Sequence, residues 1–348
     1  MDVLDQVRGC LLGGAIGDAL GAPIEFQSLR EIRRDHGADG ITGYVTTWRG
    51  RTGLITDDTQ MTLFTAEGLL DARDIAAHAS AAAGGADGGA REASAGAVRR
   101  AYLRWLDTQQ HPAPPPADLP HRTGALREER WLYSQRAPGN ACLSGLRRPF
   151  PGPSAWGRPG PVNPDSKGCG TVMRSAPFGL TGRTPREAFE QAAVCAQITH
   201  GHPTGYLAAG AFAAIVAHLM AGERLEPAVH RAMDLLAGYP GHEESSAALS
   251  AAVSLAERGD RSPEAVESLG GAWVAEEALA IGVYCALVEP SVERALLLSV
   301  NHSGDSDSTG SVCGNLLGAL NGAAELPDGW LAPLEGRDTI ERLAAELA

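Results

Sequence analysis

Glycine recurs at every fourth position of the first helical stretch of this chain, at Gly9, Gly13, Gly17 and Gly21. Because residues four apart lie on one side of an α-helix, these glycines form a row without side chains. Each glycine inside a helix costs roughly 1 kcal/mol relative to alanine. A row of them is expected only where another backbone packs very close, so the sequence predicts a tight contact on this side of the helix.

Most other apolar residues also recur at helical spacing. The predicted helices beyond the first are Met61–Ala72, Ala97–Thr108, Pro185–Ile198, Tyr206–Ala221, Glu226–Leu236, Ser245–Glu257, Val274–Val288, Val292–Val300 and Ser311–Gly322. Residues Ile41–Trp48 alternate weakly and could form a short β-ribbon, and no βαβ series is visible. The pattern therefore predicts an all-α fold.

Two segments interrupt the helical pattern. Residues 76–96 are rich in alanine, glycine and serine, which predicts a mobile loop or a frayed helix. Residues 111–164 carry much of the proline, including PAPPP at Pro112–Pro116, and several tryptophans. This second segment is predicted to be a long irregular excursion, and it could form a lid beside a site.

Charge and cysteine content exclude several classes of protein. The formal charge is −13, which disfavours broad binding to nucleic acid but leaves room for a phosphorylated small molecule. The six cysteines form no CxxC pair, which is typical of reduced thiols in a cytosol. The N-terminus lacks a basic n-region, and the apolar stretch Cys10–Ala22 is too short to span a bilayer. We expect a soluble, cytoplasmic protein.

The first motif of chemical interest is GDALGAPIEF, Gly17–Phe26. Asp18 falls on the apolar stripe of the first helix, where a buried carboxylate needs a partner. It could cap a neighbouring helix, pair with an arginine or serve a site. Glu25 follows Pro23, which ends the helix, and by default would be a solvated loop acid.

Two acidic motifs precede helices. Thr56-Asp57-Asp58-Thr59 could simply cap a helix N-terminus, but adjacent acids flanked by threonines also offer the oxygen ligands that Mg²⁺ prefers. Asp305-Ser306-Asp307-Ser308-Thr309 could present two carboxylates to one point. A calcium loop is rejected because Leu316 stands where the EF-hand glutamate belongs. A DxDxT phosphatase of the haloacid-dehalogenase type is rejected because that motif stands early, before a doubly wound sheet, and only 39 residues follow Thr309.

Two weaker signals lie between these motifs. Gly168 and Gly170 let the backbone approach a ligand closely, although an ordinary turn explains a lone GxG as well. His200 and His202 form an HxH pair without an evident third zinc ligand, so hydrogen bonding is the simpler interpretation. The two acidic helix N-termini would make one binuclear hard-metal site only if the fold joins the two ends of the chain. Such closure favours a single domain over residues 1–348.

In combination, these motifs resemble the ADP-ribosylglycohydrolase family, which includes the dinitrogenase-reductase-activating glycohydrolases and the ADP-ribosyl-arginine and ADP-ribosyl-serine hydrolases. The matching blocks stand in the family's order and are Gly13–Phe26, Thr56–Thr62, Gly168–Pro177, Thr199–Gly210 and Asn301–Leu320. The resemblance implies a compact, orthogonal multi-helix bundle that removes ADP-ribose from an acceptor. It also implies a binuclear Mg²⁺ centre, sometimes Mn²⁺. We expect a monomer.

The resemblance also implies roles for individual residues. Thr56, Asp57 and Asp58 correspond to ligands of one side of the metal centre, and Asp305, Asp307 and Ser308 to those of the other. Glu25 corresponds to a mobile glutamate with acid/base or gating work, and Asp58 and Asp305 are further catalytic candidates. The predicted substrate contacts are Gly168, Cys169, Gly170, Thr171 and His200. A metal-dependent nucleotide phosphohydrolase and a non-catalytic ADP-ribose-binding relative stay open as alternatives, and so does the acceptor.

Overall fold

A computed structural model describes residues 2–47, 50–82 and 88–348. Sixteen α-helices lie within these ranges, and no strand does. The helices are α1 Val3–Gly21, α2 Leu29–His36, α3 Asp57–Ala82, α4 Gly88–Gln110, α5 Asn140–Leu146, α6 Ala176–Gly179, α7 Pro185–Ala196 and α8 Pro203–Met220, followed by α9 Leu225–Leu236, α10 Glu243–Glu257, α11 Pro263–Glu267, α12 Ala275–Val288, α13 Val292–Val300, α14 Ser306–Asn321, α15 Asp328–Leu331 and α16 Arg337–Leu347. The all-α prediction is confirmed.

Helix α8 forms the centre of the core. Every residue from Thr204 to Leu219 is buried, and α6, α7, α9, α12 and α14 pack around it. Within the described ranges it is the one helix long and apolar enough to cross a membrane, and 83% of that window is buried inside the protein. That degree of burial is typical of a core helix.

Helices α1 and α14 pack antiparallel along the predicted glycine row. A Cβ added at Gly17 would lie 1.9 Å from the carbonyl oxygen of Gly310, and one at Gly13 would lie 2.3 Å from that of Gly314. Gly9 meets Gly318 in the same way, and Gly21 meets the backbone of Ser306. The predicted close backbone contact is confirmed, and its partner is a second row of glycines near the other end of the chain.

The predicted ribbon at Ile41–Trp48 is wrong for residues 41–47, which are irregular, while Trp48 lies outside the described residues. The amide of Ile41 donates to Asn301 Oδ1 at 2.8 Å, and the Ile41 carbonyl accepts from Asn301 Nδ2 at 2.9 Å. A side chain on the last turn of α13 therefore satisfies the backbone groups that a strand partner would otherwise bind.

The two interrupting segments differ in structure. Residues 76–82 and 88–96 are helical, as parts of α3 and α4, so the loop interpretation is wrong there; residues 83–87 lie outside the described residues. The 111–164 excursion is irregular, as predicted, apart from two short 3₁₀ turns and helix α5. Part of this excursion returns to the interior beside the ends of α1, α3 and α14.

Candidate metal centre

Three helix ends meet at one cavity of about 640 Å³. Because α1 and α14 run antiparallel, Gly21 near the end of α1 lies against Ser306 at the start of α14. Glu25, just beyond α1, thereby comes close to the acids that begin α14. Helix α3 adds its own N-terminal acids, Asp57 and Asp58. The predicted site residues that line the cavity are Glu25, Asp57, Asp58, Gly168, Cys169, Gly170, His200, Asp305, Asp307 and Ser308.

The acids of this cavity form a buried cluster without a cationic side chain. Carboxylate oxygens of Glu25, Asp305 and Asp307 lie within 4.8 Å of one another. All five acids are buried, and Glu25 is the most exposed at 8%. No lysine or arginine of the described chain pairs with any of the five, and none lines the cavity. Such a cluster is costly without positive charge, so the arrangement calls for bound cations.

The donor set suits hard divalent cations. The Ser308 amide donates to Asp307 Oδ1 at 2.9 Å, and the Asp58 amide donates to Thr56 Oγ1 at 3.2 Å. These bonds orient the helix starts and leave carboxylate oxygens directed at the cavity. Asp58 Oδ2 is buried and has no hydrogen-bond partner. An orphaned carboxylate oxygen among other oxygen donors is what a Mg²⁺ or Mn²⁺ site requires, so these residues fit the predicted metal.

Burial and mutual repulsion change the protonation of the cluster. Burial, followed by the charges of Asp305 and Asp57, raises the pKa of Glu25 to about 9. Burial first, and neighbouring acids second, also raise the pKa values of Asp58 and Asp307 well above the usual range. In the metal-free protein these groups therefore retain protons at pH values where the unfolded chain has lost them.

We expect the metal-free protein to lose stability as the pH rises. A carboxyl group whose folded pKa is raised favours folding fully below its unfolded pKa, and this stability is lost as the pH rises through the folded pKa. For Glu25 that window runs from roughly pH 4.5 to about pH 9. Melting temperatures measured in EDTA should fall across it, and saturating Mg²⁺ should flatten the slope. Equal slopes with EDTA and Mg²⁺ would contradict cation binding at this cluster.

Asp18 acts as a cap for α3, which is one of the roles considered from the sequence. Its carboxylate is fully buried and accepts from the amides of Thr56 and Thr59 at 3.0 and 3.1 Å, and from Thr59 Oγ1 at 2.5 Å. These donors belong to the first turn of α3, so Asp18 satisfies groups that the helix itself leaves unbonded. It thereby joins α1 to the turn that presents Asp57 and Asp58.

Replacing Asp18 by alanine should therefore affect both stability and metal binding. We expect a loss of about 2 kcal/mol or more, because three buried donors lose their acceptor, and a Mg²⁺ affinity weaker by about tenfold. Asp2→Ala is the matched control, since Asp2 caps the exposed start of α1 by accepting from the Asp5 amide. Calorimetric titration would show the role of Asp18 to be wrong if both variants bound Mg²⁺ like the wild type.

The glycine loop and His200 form another wall of the cavity. Residues Cys169–Thr171 make one 3₁₀ turn, and a Cβ added at Gly168 would approach His200 Nε2 to 3.2 Å. Burial, and then the charge of Arg174, lower the pKa of His200 to about 3, so its ring is neutral. The loop therefore offers backbone groups and an uncharged ring to a ligand.

Two predicted site residues, Thr56 and Thr171, and also His202, lie behind the cavity or beside it rather than on its surface. Thr56 accepts from the Asp58 amide, and Thr171 Oγ1 donates to the Gly205 carbonyl at 2.8 Å, which ties the loop to α8. His202 accepts from the Thr204 amide at the start of α8, in agreement with the hydrogen-bonding interpretation. Their hydroxyl and ring groups thus stabilise local backbone.

Part of the excursion completes the cavity; the sequence suggested that this segment could lie beside a site but did not identify the residues. Gln135, residues 137–141 and Leu143 line it, and the Gly139 amide donates to Asp57 Oδ2 at 3.2 Å. Arg136 anchors this stretch by donating to the Ile55 carbonyl at 2.7 Å and by pairing with Glu335. An irregular segment carries no periodic signal, so only its position beside α3 in the structure identifies these residues as part of the cavity wall.

An aromatic pair stands at the edge of the same cavity. Phe26 and Trp273 stack with ring centroids 5.7 Å apart and an interplanar angle of 17°. Both line the cavity, yet Phe26 is 73% exposed and Trp273 is 47% exposed. Large exposed aromatic rings beside a cleft are typical of ligand contacts. Phe26 lies within a recognised motif, whereas Trp273 was missed.

Comparisons with known proteins, by family, by sequence and by structure, find similar chains. A family model described as ADP-ribosylglycohydrolase matches residues 1–348. The chain is 27% identical to the ADP-ribosyl-[dinitrogen reductase] glycohydrolase of Rhodospirillum rubrum, over 96% of this chain and 91% of that protein. It is 25% identical to the ADP-ribosylhydrolase ARH3 of Bos taurus, over 99% and 92%. A solved structure titled ADP-ribosylglycohydrolase-related protein complex superposes with a TM-score of 0.63 at 23% identity, covering 99% of this chain and 97% of that one, and shows the same fold.

Proposed function

The chain belongs to the ADP-ribosylglycohydrolase family of glycosidic-bond hydrolases, and we propose that it removes ADP-ribose from a modified acceptor with two Mg²⁺ ions as cofactors, which Mn²⁺ can replace. The observation that carries the proposal is the buried cluster of five carboxylates without a cationic partner. Asp57 and Asp58 would hold one side of the centre, with Thr56 behind them orienting Asp58, and Asp305, Asp307 and Ser308 would hold the other. When bound, the cations orient the hydroxyls of the distal ribose and make a water molecule more acidic.

Glu25 is suited to protonate the leaving group. Cleavage at an anomeric carbon passes through an oxocarbenium-like transition state, in which the departing atom needs a proton. Burial, which is the largest cause of the raised pKa of Glu25, favours its protonated form. Asp58 and Asp305 face the same cavity and are the candidates for taking a proton from the attacking water.

The other walls of the cavity would hold the rest of the substrate. Gly168 and Gly170 line the cavity, where their backbone groups could bind a diphosphate, and the absence of side chains lets the loop pack against His200. His200 is neutral, so it can shape this part of the cleft without adding charge. Phe26 directly follows Glu25, and we infer that its stack with Trp273 contacts the group attached to the distal ribose.

Trp273→Ala should weaken binding of the conjugate more than it slows the chemical step. Loss of one stacked ring is expected to raise KM by about tenfold with a smaller change in kcat, because aromatic stacking contributes about 0.5–1.5 kcal/mol beyond its buried area. Steady-state kinetics on a hydrolysed conjugate measures this. Trp330→Phe is a control, since Trp330 lies in α15, away from the cavity lining. An unchanged KM would show that the aromatic pair does not contact the acceptor.

A product assay tests the proposed reaction. The panel contains ADP-ribosylated arginine and serine peptides, ADP-ribosylated nucleic-acid ends and O-acetyl-ADP-ribose, each with Mg²⁺, with Mn²⁺ and with EDTA. We expect free ADP-ribose from at least one conjugate, only when a divalent cation is present. AMP as the product would instead identify a nucleotide phosphohydrolase. Calorimetric binding of ADP-ribose without turnover of any conjugate would identify a non-catalytic relative.

A further inference from the structure

One of the six cysteines faces the acidic cluster. Cys169 lines the metal cavity, and its thiol donates to Asp305 Oδ2 with sulfur and oxygen 2.7 Å apart. The other five cysteines are buried and line no part of this cavity; Cys142, on the far side of the loop, lies 3.3 Å from Arg174 Nη1 instead. Sulfur is thus placed among the oxygen donors at a single position.

The surroundings of this thiol point to a cation rather than to a packing role. Besides Asp305, the residues Asp58 and Ser308 line the same cavity as Cys169. Asp58 Oδ2 is buried there and has no hydrogen-bond partner. A thiol from the loop, an orphaned carboxylate from α3 and a carboxylate from the start of α14 therefore belong to one cavity.

Backbone contacts hold Cys169 in this position independently of its side chain. Its amide donates to the Trp273 carbonyl at 3.3 Å, and the Ala275 amide donates to the Lys167 carbonyl at 2.8 Å. Gly168 and Val274 form an antiparallel bridge between these two bonds. The sulfur atom can therefore be changed without moving the loop, which makes the position open to a clean substitution.

Sulfur changes which cations the centre prefers. Mg²⁺ takes oxygen ligands, whereas thiolate ligands select softer ions such as Zn²⁺ and Cd²⁺. Binding of such an ion displaces the thiol proton to solvent, since a coordinating thiol is deprotonated.

We propose that Cys169 is a ligand for thiophilic divalent cations, so that the centre binds Zn²⁺ and Cd²⁺ through Asp58, Asp305 and one sulfur, in competition with Mg²⁺. The inference rests on the metal centre of the proposed function. It predicts that such ions exclude Mg²⁺ from this site and inhibit the hydrolase. The sulfur ligand is a property of this chain's loop, in which Cys169 stands between two glycines.

Titration of the metal-free protein with Cd²⁺ tests this inference directly. A cadmium–thiolate bond gives a charge-transfer absorption in the ultraviolet, which oxygen ligands do not. We expect the wild type to develop this band and to saturate it at a stoichiometric ratio, with Mg²⁺ suppressing it at high concentration. Cys169→Ser should lose the band and bind Cd²⁺ about tenfold more weakly or worse, with a much smaller change in Mg²⁺ affinity. Cys142→Ala, which removes the neighbouring thiol outside the cavity, should keep the band.

The possible failures are distinguishable. Cd²⁺ binding to the wild type without the ultraviolet band would overturn the sulfur ligand, and so would a band that survives in Cys169→Ser. These results need no variant activity, and the wild-type measurement stands even if a variant does not fold. Failure of Mg²⁺, Mn²⁺ and Cd²⁺ alike to bind the wild type would instead overturn the proposed metal centre and this inference with it.

Discussion

Replacing Asp307 by asparagine is expected to abolish turnover while stabilising the metal-free protein. The side chain is 3% exposed and faces Glu25 and Asp305, with carboxylate oxygens of all three within 4.8 Å. Asparagine keeps the shape, removes the cost of holding a buried acid beside other acids and adds an amide that can donate to the remaining carboxylates. A cation ligand is lost in the same step.

The substitution should therefore have opposite effects on turnover and on the stability of the metal-free protein. We expect kcat to fall by at least about a thousandfold, since the Asp307 carboxylate would hold a cation whose charge stabilises the transition state. In EDTA the free energy of unfolding should rise by about 1–3 kcal/mol, because one uncompensated buried acid is gone. Mg²⁺ should raise the melting temperature of the wild type but hardly that of the variant.

The control for Asp307→Asn is Asp234→Asn, the same change at an exposed position of α9. It should alter stability by no more than about 0.5 kcal/mol and leave turnover intact. Full activity of Asp307→Asn with unchanged Mg²⁺ dependence would refute the metal-centre assignment. A variant that is inactive but destabilised in EDTA would show that Asp307 is already compensated by something other than a cation.

Replacing Gly17 by alanine is expected to have the largest effect on folding. The added Cβ would stand 1.9 Å from the carbonyl oxygen of Gly310, a backbone atom that cannot rotate away. Alanine favours a helix over glycine by roughly 1 kcal/mol, but the clash forces α1 and α14 apart, and overpacking of this kind costs about 3 kcal/mol or more. The separation also moves Glu25 away from Asp305, so Mg²⁺ binding should weaken in any folded fraction.

Gly96→Ala is the matched control for that clash. Gly96 also lies inside a helix, α4, but a Cβ there would find its nearest neighbour at 3.6 Å, the end of the Arg100 side chain. This variant should be slightly more stable than the wild type, by up to about 1 kcal/mol. Thermal unfolding of both variants measures the difference. A Gly17→Ala protein as stable as the Gly96→Ala protein would show that the two helices separate without cost.

The helices were predictable to different degrees. Long apolar periods located α8, α10, α12 and α13 almost to their ends, because those helices bury a continuous stripe. The short α2 and the C-terminal α16 were missed. Both carry usable signals: Ser28 and Glu31 form a capping box, and Ile340, Leu343 and Leu347 are spaced for one buried face. Gly310, Gly314 and Gly318 have the same spacing of four as the glycine row in α1, and this spacing also indicates a close backbone contact.

The site was predictable as separate motifs and not as an arrangement. The acidic motifs were identified from local pattern, whereas the site roles of the glycine loop and His200 were implied by the family resemblance. The structure brings most of these residues to one cavity. Three features needed the fold: the role of Asp18 as a cap for α3, the aromatic pair of Phe26 with Trp273, and the Cys169 thiol beside Asp305. None of these contacts joins residues that a local pattern relates.

The glycine row in α1 shows which part of the packing follows from the sequence and which part follows only from the tertiary structure. The sequence alone determined that a backbone must pack against Gly9, Gly13, Gly17 and Gly21, since helix propensity and side-chain volume are properties of each residue and its near neighbours. Only the tertiary structure decided that the partner is α14, in antiparallel register, with Gly21 beside Ser306. That register places Glu25 against Asp305 and Asp307, because distant residues come together through packing of whole helices, which no local pattern encodes.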